Sequence, residues 1–403
     1  MNAYLGAALK PPVSFVQERH DTFAALRRDL HAHPELGYEE HRTAALVAER
    51  LHQWGIEVHT GVGRTGVVGV IRGRQDTSGR SVGLRADMDA LPMQEENEFA
   101  HRSTRPGLMH GCGHDGHTTM LLGAAQYLAS TRNFDGSAFL IFQPGEEGFA
   151  GARTMIEDGL FERFPANEVY ALHNWPGLPA GHIGLNPGPM MAAADRIEIT
   201  ICGRGGHAAH PHLSVDPVLI AGHIITAVQS IVARNVAPID TAVVSLCAIQ
   251  AGHPGAFSVI PREARIIGTV RAFQHSIQTM VEQRLNDIVH ATAKAFGGEA
   301  TLKYERVYPA TINHAPQYDH ALHVAEDLIG RDHVIRQMPP SMGAEDFSFM
   351  LQAKPGCYAR LGQGMGEGSC FLHNSRYDFN DAIIPLGAGF LAALAERRMP
   401  LAA

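Results

Sequence analysis

The first half of the chain alternates between segments with helical spacing of apolar residues and short apolar runs that end at turns. Helical spacing begins after Ser14, a candidate cap, and lasts until Pro34; it returns at residues 39–54, where Gly55 ends the helix. Strand-like runs occupy residues 56–58, 66–72, 81–86 and, after a helix at 117–131, 137–143. This alternation favours an α/β fold with a mostly parallel sheet.

The pattern changes after the Pro-Gly-Pro sequence at residues 187–189. Strands and helices are then predicted in the order β-α-β-β-α-β, at residues 196–202, 217–235, 241–249, 263–273, 276–296 and 300–305. This order is the split βαβ pattern of ferredoxin-like domains. Helix and strand spacing resumes after residue 308, so we expect a larger domain of residues 1–189 and 306–403, interrupted by a small domain of residues 190–305.

The composition excludes several classes of protein. Hydrophobic residues make up 45% and charged residues 18% of the 403 positions, which suits globular cores and excludes a disordered chain. The net charge of -8 and the lack of a basic stripe argue against nucleic-acid binding. No run of about 18 apolar residues is evident, so we expect no membrane span. The first twelve residues lack the features of a secretion signal, and five unpaired cysteines favour a reducing, cytoplasmic location.

The 24 histidines direct attention to metal binding, because histidine is the commonest metal ligand. MHGCGHDGHTTM places Cys112 and His114 side by side in a Gly-rich loop that can bend close to an ion. In IFQPGEEGFAGA, Glu146 and Glu147 follow an apolar strand, where α/β proteins place ligands. One carboxylate could bind a metal while the other shuttles protons. The alternatives are a free cysteine beside a helix cap and a solvated acidic turn.

Two further histidines occur in matching contexts, each after an apolar run and before an asparagine. They are His173 in YALHNWPG and His373 in CFLHNSRYDFND. One histidine at a strand end is usually structural, but two in the same frame, together with Cys-x-His and Glu-Glu, favour a metal site. In GLRADMDALPM, Asp87 and Asp89 follow an apolar strand. We predict that Asp87 orients a ligand histidine through a hydrogen bond; the alternative is that it caps a helix or lies in a turn.

Eight motifs together resemble the hippurate hydrolase and N-acyl-amino-acid amidohydrolase branch of the aminoacylase and glutamate carboxypeptidase superfamily, whose members are dinuclear metallohydrolases. The motifs, between about residues 27 and 385, are HAHPELGYEEHRTA, RADMDALP, MHGCGHDGH, QPGEEGFAGA, LHNWPG, GRGGHAAHPH, MGAEDFSFM and LHNSRYDFND. The resemblance implies a mixed-sheet, zinc-exopeptidase-like catalytic domain with an inserted ferredoxin-like lid and dimerisation domain. It also implies a small N-acyl amino acid as substrate and a homodimer or higher homo-oligomer.

The resemblance further implies the roles of individual residues. Cys112 would bridge two divalent ions, and Glu146 would take a proton from a water that the ions share and that attacks the amide carbonyl. The remaining ligands would be His114 and His173 at one ion and Glu147 and His373 at the other. Thiolate, imidazole and carboxylate suit Zn²⁺ or Mn²⁺, with Co²⁺ and Ni²⁺ as further candidates.

Three residues of the inserted domain are candidates for substrate contacts. His207 in GRGGHAAHPH would donate to the oxyanion, with a turn histidine as the alternative; His210 and His212 beside it are interpreted as structural. Arg271 in IIGTVRAF would hold the substrate carboxylate, with a surface ion pair as the alternative. Asn235 is a second candidate for that carboxylate, and a helix C-cap is its other interpretation.

The leading prediction is a cytoplasmic, metal-dependent amidohydrolase for N-acyl amino acids such as N-benzoyl or N-acetyl conjugates. A dipeptidase or carboxypeptidase with the same ions is the second, and a metal-binding protein without catalysis is the third, against which Glu146 argues. The family often has Asn where this chain has Ser258, which leaves the amino-acid preference open. We assign His31 and His33 to packing or supporting hydrogen bonds, because the sequence offers them no partner.

Overall fold

The computed structural model describes residues 10–364 and 370–402, in which the chain divides into two compact units. The α/β unit comprises the residues up to Met190, then 312–339 and those from Asp346 onward; the α+β unit comprises residues 191–311 and 340–345. The predicted insertion at residues 190–305 overlaps the first segment of the α+β unit, residues 191–311. Its second segment, residues 340–345, was not predicted. Residues 1–9, on which the expectation about a secretion signal partly rests, lie outside the described residues.

The elements are numbered in chain order. The helices are α1 Pro11–Gln17, α2 His20–Ala32, α3 His41–Gln53, α4 His114–Thr131, α5 Glu146–Phe149, α6 Gly151–Glu157, α7 Leu160–Arg163, α8 Pro217–Arg234, α9 His275–Ala295, α10 Ala315–Ile329, α11 Phe347–Ala353 and α12 Ile384–Arg398. The strands are β1 Glu57–Val62, β2 Gly66–Arg72, β3 Ser81–Asp87, β4 Ser137–Gln143, β5 Glu168–Pro176, β6 Ile183–Gly184, β7 Pro189–Met191, β8 Ala193–Cys202, β9 Gly206–His207, β10 Ala242–Ala251, β11 Val259–Ile260, β12 Glu263–Ala272, β13 Glu299–Tyr308, β14 Thr311–Ile312, β15 Val334–Ile335 and β16 Gly356–Gly364.

The α/β unit is built on a mixed sheet with the strand order β1-β2-β4-β3-β5-β16-β6-β15. Strands β4, β3, β5 and β16 run parallel to one another. Strand β2 is antiparallel to both β1 and β4, and β6 is antiparallel to β16. Every residue of β3 and β4 is buried, which is typical of parallel strands with both faces covered by other elements. The carboxyl ends of β3, β4 and β5 therefore meet at one edge of the sheet.

The N-terminal helix prediction needs correction. Two helices, α1 and α2, replace the single predicted one, and α1 begins at Pro11, whose fixed φ and missing N–H suit the first helical position. Ser14 lies inside α1 and donates its hydroxyl to the Pro11 carbonyl, so it is no cap. Gly55 does follow the end of α3 with a left-handed φ of 68°, as predicted. Helix α4 begins at His114, three residues earlier than expected.

The α+β unit has a four-stranded antiparallel sheet in the order β10-β12-β8-β13 within the part of the chain described. Along the chain its elements follow β8-α8-β10-β12-α9-β13, which is the predicted split βαβ arrangement. Alternate residues of β8, such as Ile197, Ile199 and Ile201, are fully buried. They belong to one hydrophobic core with Ile224 of α8 and Leu285 of α9.

Helix α8 is long and apolar enough to cross a membrane by length and composition alone, although it contains polar residues such as His223 and Gln229. It has 18 residues, and 33% of it is buried. The buried face packs into the unit's core through residues such as Ile220 and Val228, while Leu219 on the other side is 52% exposed. A core helix meets the same criterion, so a single helix of this kind is weak evidence for a membrane span.

Candidate metal centre

The loop before α4 directs two ligand-type side chains into the interior. Cys112 is 7% exposed and His114, the first residue of α4, is fully buried. Gly113 between them has a left-handed φ of 93°. A Cβ at this position would lie 2.4 Å from Asn174 Oδ1 and 2.6 Å from the Tyr377 hydroxyl. Only glycine fits there, and the tight turn allows both neighbours to point inward.

Two adjacent carboxylates diverge in the loop that follows β4. The short helix α5 is distorted at Glu147, whose ψ is 72°, and at Gly148, whose φ is 89°. Glu146 accepts the backbone N–H of Asp346 at Oε1 over 3.3 Å. Glu147 Oε1 lies 3.2 Å from His373 Nε2. The backbone distortion therefore gives the two carboxylates different partners, while an oxygen of each remains within 4.8 Å of an oxygen of the other.

The two His-Asn motifs supply imidazoles from distant parts of the chain. His173 comes from β5, and its Nε2 lies 3.5 Å from Cys112 Sγ. Its Nδ1–H donates to the Asn174 carbonyl over 2.7 Å, which leaves the lone pair on Nε2. His373 has a left-handed φ of 61°, and its N–H donates to the Gly111 carbonyl over 2.8 Å. This backbone bond ties the His373 segment to the loop that carries Cys112.

The donor atoms form two groups that share Cys112. In each group the ligand atoms lie within 4.8 Å of one another, and the groups are Cys112 with His114 and His173, and Cys112 with Glu147 and His373. These are the two sets that the resemblance implied. Glu146 lies in a further group of the same dimension, with His114 and Glu147. The candidate base is therefore adjacent to both sets.

Two buried polar atoms at the centre of the cluster make no hydrogen bond of acceptable geometry within the described residues, although His373 Nε2 lies 3.2 Å from one of them. They are His114 Nε2 and Glu147 Oε1, which lie 4.0 Å apart. His114 Nδ1 faces Asp89 Oδ1 at 3.2 Å, so in the neutral ring Nδ1 donates to Asp89, and Nε2, on the side of Glu147 Oε1, is the nitrogen left to ligate an ion. Buried unpaired polar atoms are costly, and a cation between them would satisfy both. The sulfur, imidazole and carboxylate donors thus fit divalent metal ions.

The electrostatics of the cluster also favour a cation. Burial, with the carboxylates of Glu147 and Glu146, raises the pKa of the Cys112 thiol, so a thiolate there depends on nearby positive charge. Burial and the neighbouring His117 lower the pKa of His173, which keeps that imidazole neutral and able to ligate. Burial opposes the proton on His114, but surrounding carboxylates, that of Asp87 foremost, raise its pKa to about 10.

Asp89, and not the chosen Asp87, makes the hydrogen bond with His114 Nδ1. The Asp87 carboxylate accepts from His117 Nδ1 over 2.6 Å and from Arg85 Nη1 over 2.7 Å. Its closest approach to His114 is 3.7 Å, to Nε2. Arg85 lies two residues before Asp87 on the same face of β3 and, with His117, holds that carboxylate away from Nδ1. The sequence contains both aspartates but no signal that distinguishes them.

A buried network of charges centred on Arg27 lies beside the cluster, and sequence reasoning missed it. Arg27 is 1% exposed and contacts three carboxylates: Asp378 at 2.8 Å, Asp381 at 2.6 Å and Asp115 at 3.5 Å. Asp115 follows His114, and the two other aspartates follow His373 along the chain. The Arg27 network therefore connects the two segments that carry these histidines to α2.

His31 belongs to the same network and makes supporting hydrogen bonds, as assigned from the sequence, to partners that the sequence did not reveal. Its Nδ1 lies 2.9 Å from Asp115 Oδ2, and its Nε2 lies 3.2 Å from Glu95 Oε1. The available signal was positional: Arg27 and His31 share the buried face of α2 with Phe23 and Leu30. Polar residues on an otherwise apolar helix face indicate buried partners, because an unpaired buried charge is costly.

The three predicted substrate contacts lie in the α+β unit. His207 is exposed at the end of β9, and its Nδ1 accepts the Ala209 N–H over 3.1 Å, so the neutral ring carries its proton on Nε2. Arg271 is partly buried on β12, and burial lowers its pKa. Asn235 ends α8 as its C-cap, which was its alternative interpretation, and its Oδ1 accepts from Arg284 Nε over 3.4 Å.

The fold and the donor cluster together define an α/β metal-dependent hydrolase, and the comparisons identify its family. The sequence model of peptidase family M20/M25/M40 matches residues 83–397 of this chain. A hippurate hydrolase of Campylobacter jejuni is 43% identical over 373 residues, covering 93% of this chain and 95% of the relative. An N-acetylcysteine deacetylase of Bacillus subtilis is 36% identical over 378 residues, covering 93% and 96%.

A solved structure agrees with these sequence relatives. The crystal structure of a Bacillus subtilis protein, described as a dinuclear metal-binding peptidase of the M20 family, matches with a TM-score of 0.83 at 32% identity. The match covers 95% of this chain and 99% of that one. The chain therefore belongs to peptidase family M20/M25/M40, and the family resemblance inferred from the motifs is confirmed.

Proposed function

We propose that this protein is a metal-dependent amidohydrolase that cleaves the amide bond of N-acyl amino acids. The observation that carries the proposal is the position of the Glu146 carboxylate within 4.8 Å of donor atoms that fit divalent metal ions. The relatives named hippurate hydrolase and N-acetylcysteine deacetylase support N-acyl amino acids as the substrate class. Zn²⁺ or Mn²⁺ are the proposed ions, with Co²⁺ and Ni²⁺ as further candidates, and the cytoplasm is the proposed location.

In the proposed mechanism, five side chains would hold two divalent ions: His114 and His173 at one, Glu147 and His373 at the other, and Cys112 next to both. When bound, such ions supply Lewis-acid activation of a water near neutral pH. Glu146 takes the proton of the attacking water and returns it to the amide nitrogen as the C–N bond breaks. The Asp346 N–H that bonds Glu146 Oε1 orients this carboxylate. Asp89 orients the His114 ring.

We assign the substrate contacts to the α+β unit. His207 donates its Nε2–H to the carbonyl oxygen as that oxygen gains negative charge; the Ala209 N–H on Nδ1 supports this, because it favours the tautomer that donates from Nε2. Arg271 holds the free carboxylate of the substrate, with Asn235 as a second donor. This unit also serves as a lid and as the surface for a homodimer or higher homo-oligomer. The role as an oligomer surface is supported by the half-exposed Leu219 on α8 and by β10 and β13, which are the edge strands of the sheet.

A substrate panel with a base variant tests the proposal. We expect the metal-loaded enzyme to hydrolyse N-benzoyl- and N-acetyl-amino acids faster than unblocked dipeptides. Glu146→Gln should lower kcat by about 10²–10⁴-fold because it removes the proton acceptor, with metal content unchanged. Glu157→Gln, an exposed glutamate on the nearby α6, is the matched control and should retain full turnover.

Two results would contradict the proposal. Near-normal turnover by Glu146→Gln would exclude this residue as the general base. Faster hydrolysis of dipeptides than of every acylated amino acid would replace the amidohydrolase with a dipeptidase or carboxypeptidase that uses the same centre.

A further inference from the structure

A second cluster of histidines lies in the α+β unit, which contains none of the ligands described above. His207 ends β9, His210 precedes a short 3-10 turn at Pro211–Leu213, and His212 lies within that turn. All three side chains are exposed. We propose that these histidines form an exposed, exchangeable binding site for a divalent transition-metal ion such as Zn²⁺, and that its occupation inhibits the enzyme through His207.

The spacing of the rings suits shared coordination. The ring centres of His207 and His210 are 5.5 Å apart, and those of His210 and His212 are 6.1 Å apart. Two imidazoles on one tetrahedral Zn²⁺, with Zn–N distances of about 2.0–2.1 Å, have ring centres about 5 Å apart. The two candidate ligands His114 and His173 of the buried centre are likewise 6.1 Å apart. Small rotations of exposed rings would therefore bring adjacent pairs onto one ion.

The nitrogen lone pairs of the cluster are accessible. His207 Nδ1 carries a lone pair, because it accepts the Ala209 N–H over 3.1 Å, and an ion would replace this exposed hydrogen bond. The rings of His210 and His212 make no hydrogen bond within the described residues, so they can turn a nitrogen toward an ion without losing one. The loop itself is held by the His210 N–H, which donates to the His207 carbonyl over 2.8 Å.

The donor set decides which ions would bind. No carboxylate pairs with these three rings in the part of the chain described, so the site offers imidazole and water. Imidazole suits Zn²⁺, Cu²⁺ and Ni²⁺, whereas Mg²⁺, Ca²⁺ and Mn²⁺ prefer oxygen ligands. Exposure and the lack of supporting hydrogen bonds behind His210 and His212 make the site weaker than the buried centre, so it would exchange its ion with the solvent.

The regulatory consequence rests on the proposed function, whereas the binding itself does not. An ion on His207 Nδ1 would hold that imidazole within its own loop and beside a positive charge. The Nε2–H would remain, but a ring held on the ion could no longer turn toward the substrate carbonyl. Excess Zn²⁺ should therefore lower turnover while the buried centre stays loaded.

Calorimetric titration of the metal-loaded full-length enzyme with Zn²⁺ tests the binding. The parent should take up one further equivalent, and His210→Ala/His212→Ala should lose it. His223→Ala/His290→Ala removes two exposed histidines from α8 and α9 of the same unit and should bind like the parent. Uptake of the additional equivalent by His210→Ala/His212→Ala with unchanged affinity would overturn the site.

Steady-state assays with and without added Zn²⁺ test the inhibition. Without added Zn²⁺ the parent and both double variants should turn over equally. Added Zn²⁺ should inhibit the parent and His223→Ala/His290→Ala but not His210→Ala/His212→Ala. Equal inhibition of all three would overturn the regulatory role. If the protein hydrolysed no N-acyl amino acid, the proposed function would fail, while the calorimetric titration would still decide the site.

Discussion

The two histidine clusters of this protein share their internal spacing and differ in their surroundings. The rings of His114 and His173 lie 6.1 Å apart in the α/β unit, and those of His210 and His212 lie 6.1 Å apart in the α+β unit. The first pair is buried, whereas the second is exposed. Ring spacing alone therefore does not distinguish the buried cluster from the exposed one.

The hydrogen bonds behind the rings make the difference. His114 Nδ1 bonds Asp89, and His173 Nδ1 bonds the Asn174 carbonyl, so each ring directs its Nε2 into the cluster. Such bonds fix the tautomer and the orientation of a ligand, and their loss typically lowers metal affinity by about 10–100-fold. Around the buried pair, the carboxylates add negative charge that favours a cation, and a bound cation would in turn favour the thiolate form of Cys112. Among the described residues, the exposed pair has neither hydrogen bonds behind its rings nor carboxylates paired with them.

The largest expected effect comes from the donor that the two buried groups share. Cys112→Ser should weaken metal binding by more than about 100-fold, since even supporting residues contribute 10–100-fold. Turnover should fall with the metal content, measured by elemental analysis after dialysis. Cys357→Ser, in a thiol that is 1% exposed on β16, is the matched control and should keep its metal. Unchanged metal content in Cys112→Ser would remove Cys112 from the centre.

The second prediction concerns the stability that buried charges give the α/β unit. Arg27→Met should lower the free energy of unfolding by about 3–5 kcal/mol, because it removes the buried guanidinium that three carboxylates share and leaves the buried Asp115 with His31 alone. Denaturant titration measures this loss. Arg28→Met is the control: Arg28 pairs with the same Asp381, but its side chain is 52% exposed, so the cost should stay within about 1 kcal/mol. Equal costs would show that burial does not matter here.

The smallest effect is a pH dependence of stability that arises at His31. Burial opposes its proton, but hydrogen bonds to Asp115 and Glu95 raise its pKa to about 9. The folded state thus keeps a proton that the unfolded chain releases near pH 6.5. The stabilisation is complete below about pH 6.5 and is lost as the pH rises to about 9, on the order of 3 kcal/mol in all.

Denaturant titrations between pH 6 and about 9.5 measure this contribution as the difference between the parent and His31→Gln, because His114, whose pKa is also raised, contributes to both. His31→Gln should lose about 3 kcal/mol of the fall in stability across that window, whereas a His212→Gln variant, changed at an exposed histidine, should show the same fall as the parent. If the stability of His31→Gln and that of the parent fell by the same amount, the proposal that His31 is protonated and paired in the folded state would be refuted.

The sequence predicted much of this protein because many of its features are local. The bounds of β2 and β4 were predicted correctly, since continuous apolar runs between turn residues are visible over seven positions. The β-α-β-β-α-β order followed from the same spacing. Cys-x-His and Glu-Glu were recognised as ligand motifs because their members are neighbours in the chain.

Other features required contacts between distant segments. The choice of Asp89 over Asp87 depends on His117 and Arg85, which occupy the Asp87 carboxylate. The pairing of His31 with Asp115 joins residues from different helices.

By itself, the sequence determined the residue types at the centre, the order of the elements and the family. Only the tertiary structure decided that segment 340–345 belongs to the α+β unit, that β16 lies between β5 and β6, and that Arg27 joins the segments carrying two predicted ligands. The physical reason is range. Periodicity and ligand spacing are properties of neighbouring residues, whereas burial, hydrogen-bond partners and shifted pKa values arise only when distant segments exclude water together.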